Sequence, residues 1–289
     1  MSYKYIKPQT IQEVVSTMQQ YPDYHLLAGG TDLLVKMKLG RIESGTFVDI
    51  SDLNELKQIT VHNNTITIGA AVTHSQISSS ADIIELAPAL AAASASVGSP
   101  QIRNRGTVGG NCGNASPAGD TIPALLAYHA VVNVNGPQGV RTIPLNEFFM
   151  GPGRTVLKSG EFILSFSFSM QQPGQGSAFE KLGKRKALAI SIINIASFIS
   201  VDADKIITQA RIAMGSVAPT PIRITEIESI LVGKKFTDKI IIEAAQVAAD
   251  NIKPIDDVRS EAEYRKKMAS ILTQRTLENI RTQKFINII

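Results

Sequence analysis

Two stretches of the chain pair glycines with hydroxyl, carboxyl or carboxamide side chains, the combination that holds an anion. The first is Leu26-Leu27-Ala28-Gly29-Gly30-Thr31-Asp32-Leu33-Leu34. A short apolar run of strand type breaks at two glycines, and a capping residue and a segment of helical spacing follow. In that order the backbone can approach a phosphate closely, because glycine has no side chain and the first N–H groups of a helix lack internal partners. The second is Gly106-Thr107-Val108-Gly109-Gly110-Asn111-Cys112-Gly113-Asn114, which predicts another glycine turn. Two anion-cradling turns on one chain imply a ligand with a diphosphate gripped from two sides, and a flavin dinucleotide meets that description.

Other phosphate motifs fit less well. A dinucleotide fingerprint needs G-x-G-x-x-G and an acid about twenty residues on. Asp49 stands at about that distance, but Gly29-Gly30-Thr31-Asp32 has no third glycine. Gly183-Lys184-Arg185 lacks the upstream glycine and the hydroxyl of a Walker loop. By itself the first stretch is equally a tight turn before a capped helix. The second lies in a run of small and polar residues from Ser94 to Asp120, which makes poor core. Such a run inside a domain either wraps a ligand or forms a long surface loop. Thr107, Asn111, Ser116 and Asp120 offer donors and acceptors to a ribose or diphosphate.

The elements that position these stretches follow from periodicity. Thr10 caps a predicted helix with Ile11, Val14, Val15 and Met18 on one face. The strand through Leu26-Leu27, a helix with Leu33, Leu34 and Met37 ending at Gly40, and a strand over 46–50 form a β-α-β unit, predicted parallel and right-handed. Runs at 59–62 and 65–68 around Asn63-Asn64 predict a hairpin. An alanine-rich helix is expected over 82–97, and alternating runs at 130–134 and 162–168 predict a second lobe with an antiparallel sheet. Residues 170–177 read as a linker. Beyond it come two strands, 190–201 and 206–214, joined at an exposed tip, Asp202-Ala203-Asp204-Lys205. After Pro219 and Pro221 the chain turns helical, with an amphipathic stretch over 261–282.

Composition narrows the function classes. At 289 residues, 44% hydrophobic and 19% charged, the chain reads as a globular protein of two domains. The net charge of +4 is scattered, densest over 181–186 and 265–267, with no tryptophan and no aromatic-interleaved basic stripe, so nucleic-acid binding is not expected. No apolar run is long enough to cross a bilayer, and the opening residues lack a signal-peptide core, so no membrane association and a cytoplasmic location are expected. The single cysteine, Cys112, rules out an iron–sulfur cluster or cysteine zinc site built from this chain alone. His25, His62, His74 and His129 have no metal-binding spacing, so no metal site is expected.

Leu26 to Asp32, with Gln101-Ile102-Arg103-Asn104 and Thr107 to Asn111, resembles the FAD-binding medium subunit of the molybdenum hydroxylases, the group of the xanthine, nicotinate and carbon monoxide dehydrogenases. The resemblance covers essentially the whole chain. It implies an α+β fold: a two-lobed FAD-binding domain of the vanillyl-alcohol-oxidase/PCMH type over 1–172 (lobes about 1–57 and 58–172), then a small antiparallel sheet with helices over 177–289. It implies FAD on this chain, held by His25, Leu26, Leu27, Ala28, Gly29, Gly30, Thr31 and Asp32 and by Thr107, Val108, Gly109, Gly110 and Asn111. Asp120 matches an acid that contacts the cofactor, Val97 and Ile163 fall where apolar side chains meet the flavin, and Lys181 where a lysine lies close to it. The implied partners are a molybdopterin-binding large subunit and a small subunit with [2Fe-2S] clusters, in a dimer of heterotrimers. Electrons would pass from those clusters to FAD and on to NAD+ or another acceptor. No residue here need touch the organic substrate, so no catalytic residue is assigned.

Phe148-Phe149-Met150-Gly151-Pro152 departs from the family in having proline where relatives of the xanthine oxidase type carry a tyrosine that covers the flavin. There is no four-cysteine insertion, so the extra cluster of the 4-hydroxybenzoyl-CoA reductase type is not expected. Val217 to Arg223 resembles the close of the C-terminal sheet. The alternatives are a Rossmann-type nicotinamide-binding subunit and a scaffold subunit without cofactor.

Overall fold

The structure is a computed structural model and describes residues 2–185 and 188–283. Lys186 of the basic group and residues 284–289 of the expected C-terminal domain lie outside the described residues.

The chain opens with β1 (Tyr3–Ile6), an element the sequence reading did not assign, then α1 (Ile11–Gln20), β2 (Tyr24–Leu27), α2 (Leu33–Lys38) and β3 (Gly45–Asp49). Thr10 caps α1 by accepting from Glu13 N–H, and α1 buries Val14, Val15 and Met18. β3 is the centre of a three-stranded sheet, parallel to β1 on one side and β2 on the other, so β2-α2-β3 is the expected parallel unit. β1 carries no burial periodicity in its sequence, because its residues are mostly exposed, Tyr3 and Tyr5 among them.

Next come β4 (Ile59–His62) and β5 (Thr65–Gly69), a hairpin turning through Asn63 and Asn64 at positive φ, 46° and 60°. The alanine-rich segment is not one helix. α3 (His74–Ser79) precedes it, and α4 (Ala81–Leu86) and α5 (Pro88–Ala95) divide it, because Pro88 forces Ala87 to an extended φ of −150°. The small-residue run is likewise not a loop: it folds as α6 (Pro100–Arg103) and α7 (Val108–Gly113), ahead of α8 (Thr121–Ala127).

β6 (Val131–Gly136), β7 (Gly139–Pro144), the short hairpin β8 (Phe149–Gly151) and β9 (Arg154–Thr155), and β10 (Phe162–Ser169) complete this part. The sheet order is β4-β5-β10-β6-β7, antiparallel throughout. β11 (Gln175–Leu182), β12 (Ile193–Val201), β13 (Ile207–Gly215) and β14 (Ile222–Arg223) form a second antiparallel sheet, so the connection after β10 is shorter than the expected linker. α9 (Thr225–Leu231), α10 (Asp238–Ala248) and α11 (Ala262–Arg281) follow, and α11 buries Leu272, Leu277 and Ile280. At the tip after β12, Asp202 accepts from Asp204 and Ile206 N–H, so its carboxylate is spent on the turn.

Three cores hold the parts together. One lies under the three-stranded sheet and takes in Ala71 and Phe162 from outside it. The largest lies between the five-stranded sheet and α3, α4, α5, α7 and α8, and includes Phe198 and Ala213 of the second sheet. The third packs the second sheet against α9 to α11.

Candidate functional site: a cleft at the seam of two loops

β2 runs parallel to β3 to its end, where Leu27 C=O accepts from Ile50 N–H at 2.9 Å, and the chain then leaves the sheet. Gly30 has φ +73°, the left-handed region open to glycine, and turns the backbone into α2. Gly30 C=O and Asp32 C=O accept from Leu34 and Lys36 N–H, which starts the helix. The N–H groups of Gly29, Gly30, Thr31 and Asp32 have no acceptor among the described residues. Four adjacent donors without partners are costly unless solvent or a ligand satisfies them.

The second stretch works differently from expectation. It is the first turn of α7, capped by Thr107, and its N–H groups are already spent. Val108 donates to Val72 C=O at 3.0 Å, Gly109 to Ala70 C=O at 2.9 Å, Gly110 to Thr107 Oγ1 at 3.0 Å and Asn111 to Thr107 C=O at 2.9 Å. It is therefore a smooth wall rather than a second anion cradle. A Cβ on Gly109 would stand 2.6 Å from Ala70, whereas one on Gly110 would meet only Thr107 Oγ1, at 3.0 Å. Gly109 serves packing, and Gly110 keeps the wall low. Asn111 Oδ1 accepts from Thr121 Oγ1 at 2.8 Å.

The loops touch backbone to backbone. A Cβ on Gly29 would fall 1.8 Å from Arg105 C=O and 3.0 Å from Gly106 Cα, so only glycine permits this approach. On one side of the seam lies a cleft of about 380 Å3. It has apolar walls from Ile50, Ile102, Leu157 and Phe162, none of them among the residues expected to hold the cofactor. Lys36 lines the cleft, and its Nζ donates to Asn114 Oδ1 at 2.9 Å, tying α2 to the end of α7. His74 also lines the cleft, although it is only 2% exposed. Burial, with the Arg103 charge adding to it, lowers its pKa to about 4, so its ring is neutral at pH 7. A second cleft of about 410 Å3, with Asp52, Lys57 and Arg105 on its walls, lies across the seam and shares Ala28, Gly29 and Thr107 with the first.

Of the residues expected to hold a cofactor, Leu26, Ala28, Gly29, Gly30, Thr31 and Asp32 line the first cleft. Thr107, Gly109, Gly110 and Asn111 join them from α7, and Val97 and Ile163 stand on the remaining walls. Five expected residues are not on its lining. His25 packs against Phe47, ring centroids 5.7 Å apart, and its Nε2 lies 3.4 Å from Ser44 C=O. Leu27 lies beneath Gly30, and Val108 is sealed in the largest core. Asp120 and Lys181 pair with each other at 2.6 Å. Asp120 also accepts from Ser191 and Asn194, and Lys181 donates to Ser96 C=O at 2.9 Å, next to Val97. Asp49, the tempting ribose acid, accepts from Tyr5 and Ser51 instead. Pro152 lies outside the cleft, in the β8–β9 turn.

A slot with four free amides at one point, apolar walls beyond and a glycine where a Cβ would intrude fits a flavin dinucleotide: diphosphate on the amides, flat rings on the walls. Cys112 is fully buried, and burial pushes its thiol well above the usual range, so it is no redox thiol.

Comparison with known proteins agrees with the geometry. Residues 1–168 match the model of the FAD binding domain in molybdopterin dehydrogenase, and residues 177–280 that of the CO dehydrogenase flavoprotein C-terminal domain. The chain is 34% identical to the nicotinate dehydrogenase FAD-subunit of Eubacterium barkeri, over 91% of each chain. It is 31% identical to the xanthine dehydrogenase FAD-binding subunit of Escherichia coli O157:H7, over 94% of each. A solved structure of carbon monoxide dehydrogenase from Hydrogenophaga pseudoflava superposes with a TM-score of 0.92 at 32% identity, covering 97% of both chains.

Proposed function

This chain belongs to the family of FAD-binding subunits of the molybdenum hydroxylase-type dehydrogenases, and we propose that its first cleft is where it carries FAD in an electron relay. The observation that carries this reading is the run of four unpaired N–H groups from Gly29 to Asp32 on the Gly29–Arg105 seam.

Each part of the cleft has a task in this reading. The free amides hold the diphosphate, with the Lys36 ammonium on the lining adding a positive charge. Asp32 is an exposed acceptor suited to ribose hydroxyls rather than to phosphate. Thr107 and Gly110 form a wall with no side chain in the way. Ile163 and Val97 exclude water beside the rings. At the Val97 end, the Lys181 ammonium, fixed by Asp120 and Ser96 C=O, favours negative charge developing on the flavin edge. When bound, FAD supplies the redox chemistry, accepting and releasing electrons singly or in pairs. The chain itself binds, orients and shields it.

In the same reading a molybdopterin-binding large subunit oxidises the organic substrate, a small subunit passes electrons through [2Fe-2S] clusters, and NAD+ or another acceptor takes them from FAD. What supports this is that the relatives are FAD-subunits and medium chains of such dehydrogenases. No helix among the described residues is long and apolar enough to cross a membrane, and we place the complex in the cytoplasm. The boundary between the two domains falls between β10 and β11.

The test is FAD titration of the full chain, read by flavin absorbance and fluorescence. Gly110→Leu puts a side chain into the cleft at a position where its Cβ meets only Thr107 Oγ1, so it should weaken FAD binding by about a hundredfold or more with a smaller loss of melting temperature than a backbone clash would give. Undiminished binding would show that the cofactor sits elsewhere.

A further inference from the structure

His74 is the first residue of α3, and its backbone N–H donates to Gly106 C=O at 3.0 Å. Its Nδ1 is sealed from solvent with no hydrogen-bond partner, and among the described residues Nε2 has none either. The ring edge that carries Nε2 faces the seam. A Cβ built on Gly106 would lie 3.3 Å from His74 Cδ2 and 3.4 Å from Thr31 Oγ1. The imidazole therefore stands close to Gly106, and it lines the same cleft as the unpaired amides of Gly29 to Asp32.

A neutral imidazole has one N–H donor and one lone pair, on different nitrogens. One of them must fall on sealed Nδ1. An orphaned lone pair is better tolerated in protein interiors than an orphaned N–H, so the favoured tautomer carries its proton on Nε2. That leaves an N–H donor on the cleft side and none wasted in the core. The low basicity of the ring keeps this form dominant near neutral pH.

We propose that His74 is a cofactor-binding residue whose Nε2–H donates to a diphosphate oxygen of the bound dinucleotide, a contact that rests on the first cleft being the FAD site. It joins the backbone amides as a side-chain donor rather than acting as a buried cation. A neutral donor here avoids the cost of burying an imidazolium while the cleft is empty of anion. The contact reads the part of the ligand that FAD shares with ADP.

FAD and ADP titrations of the full chain test this, FAD by fluorescence quenching and ADP by competition. His74→Phe keeps a ring but removes the donor, and His74→Gln places an amide N–H near the Nε2 position. The Phe variant should weaken FAD and ADP alike, by about tenfold to a hundredfold, with the Gln variant within about threefold of the parent. Unchanged affinity in His74→Phe, or a loss confined to FAD, overturns the assignment. Gly110→Leu, measured alongside, separates the two readings. Normal FAD binding there removes the cleft itself, whereas loss there with normal binding in His74→Phe removes only His74. If the Phe variant does not fold, nitrogen-15 NMR of the histidine-labelled parent decides. The expected result is an Nε2–H tautomer whose ring shifts move on ADP addition, and an Nδ1–H tautomer or immobile shifts overturn it.

Discussion

Gly29→Ala adds one carbon to the tightest backbone approach at the site. The new Cβ would lie 1.8 Å from Arg105 C=O and 2.6 Å from its carbonyl carbon, against the 3.4 Å at which ordinary contact begins. Neither neighbour is a side chain that can rotate away, so the two loops must part. Overpacking of this kind costs about 1–3 kcal/mol, and a backbone clash belongs at the upper end. At about 2–4 °C per kcal/mol for a domain of this size, the melting temperature should fall by about 4–12 °C. Parting the loops also draws the free amides of Gly29 to Asp32 away from the Thr107–Gly110 wall, so a ligand held by both should lose about tenfold to a hundredfold in affinity. Gly110→Ala is the matched control, because its Cβ meets only Thr107 Oγ1 and should leave melting near the parent value. Differential scanning fluorimetry with and without FAD measures both quantities. A Gly29→Ala protein that melts and binds as the parent does would refute the seam.

Three further outcomes follow from buried ionisable groups. Arg265 is 1% exposed and donates to Ile192 C=O, Ser216 C=O and Asp257 Oδ1, so Arg265→Met should orphan the two carbonyls, leave Asp257 Oδ1 with only the Arg259 and Ser260 N–H groups, and cost about 3 kcal/mol, read as a melting temperature lower by about 6–12 °C. Burial pushes the Asp257 carboxyl up, but Arg259 and Arg265 more than reverse this and hold it well below its ordinary 3.8, so its contribution is complete above about pH 4 and lost only as pH falls further. His74 produces a separate acid loss at milder pH. Its ring falls from 6.5 unfolded to about 4 folded, so the unfolded chain binds the extra proton and stability should decline by up to about 3 kcal/mol between those values. Urea unfolding at stepped pH should show that decline in the parent and not in His74→Gln.

Much of the arrangement was legible from residue types. The parallel β2-α2-β3 unit follows from a short strand-type run on each side of a helical stretch, and Asn63-Asn64 marks the hairpin. Gly29 and Gly30 stood out because two glycines break an apolar run, and the structure gives each a use: close approach for one, positive φ for the other. Local pattern misled at Gly109-Gly110. Thr107 caps a helix there and takes the Gly110 and Asn111 amides, while Ala70 and Val72, in the segment after β5, take those of Gly109 and Val108, a tertiary fact with no local trace. The alanine-rich run misled because propensity outweighed Pro88. His74 and Phe162 reach the cleft from distant elements, and nothing in their neighbours' spacing marks them. Lys36 could have been found: it lies four residues after Asp32, on the same helix face.

The most direct measurement is a crystal structure of the full chain loaded with FAD. The account predicts diphosphate oxygens within hydrogen-bonding distance of the Gly30, Thr31 and Asp32 N–H groups, in the cleft walled by Thr107 and Gly110. A diphosphate bound across the seam, against Lys57 and Arg105, or away from both loops would contradict it.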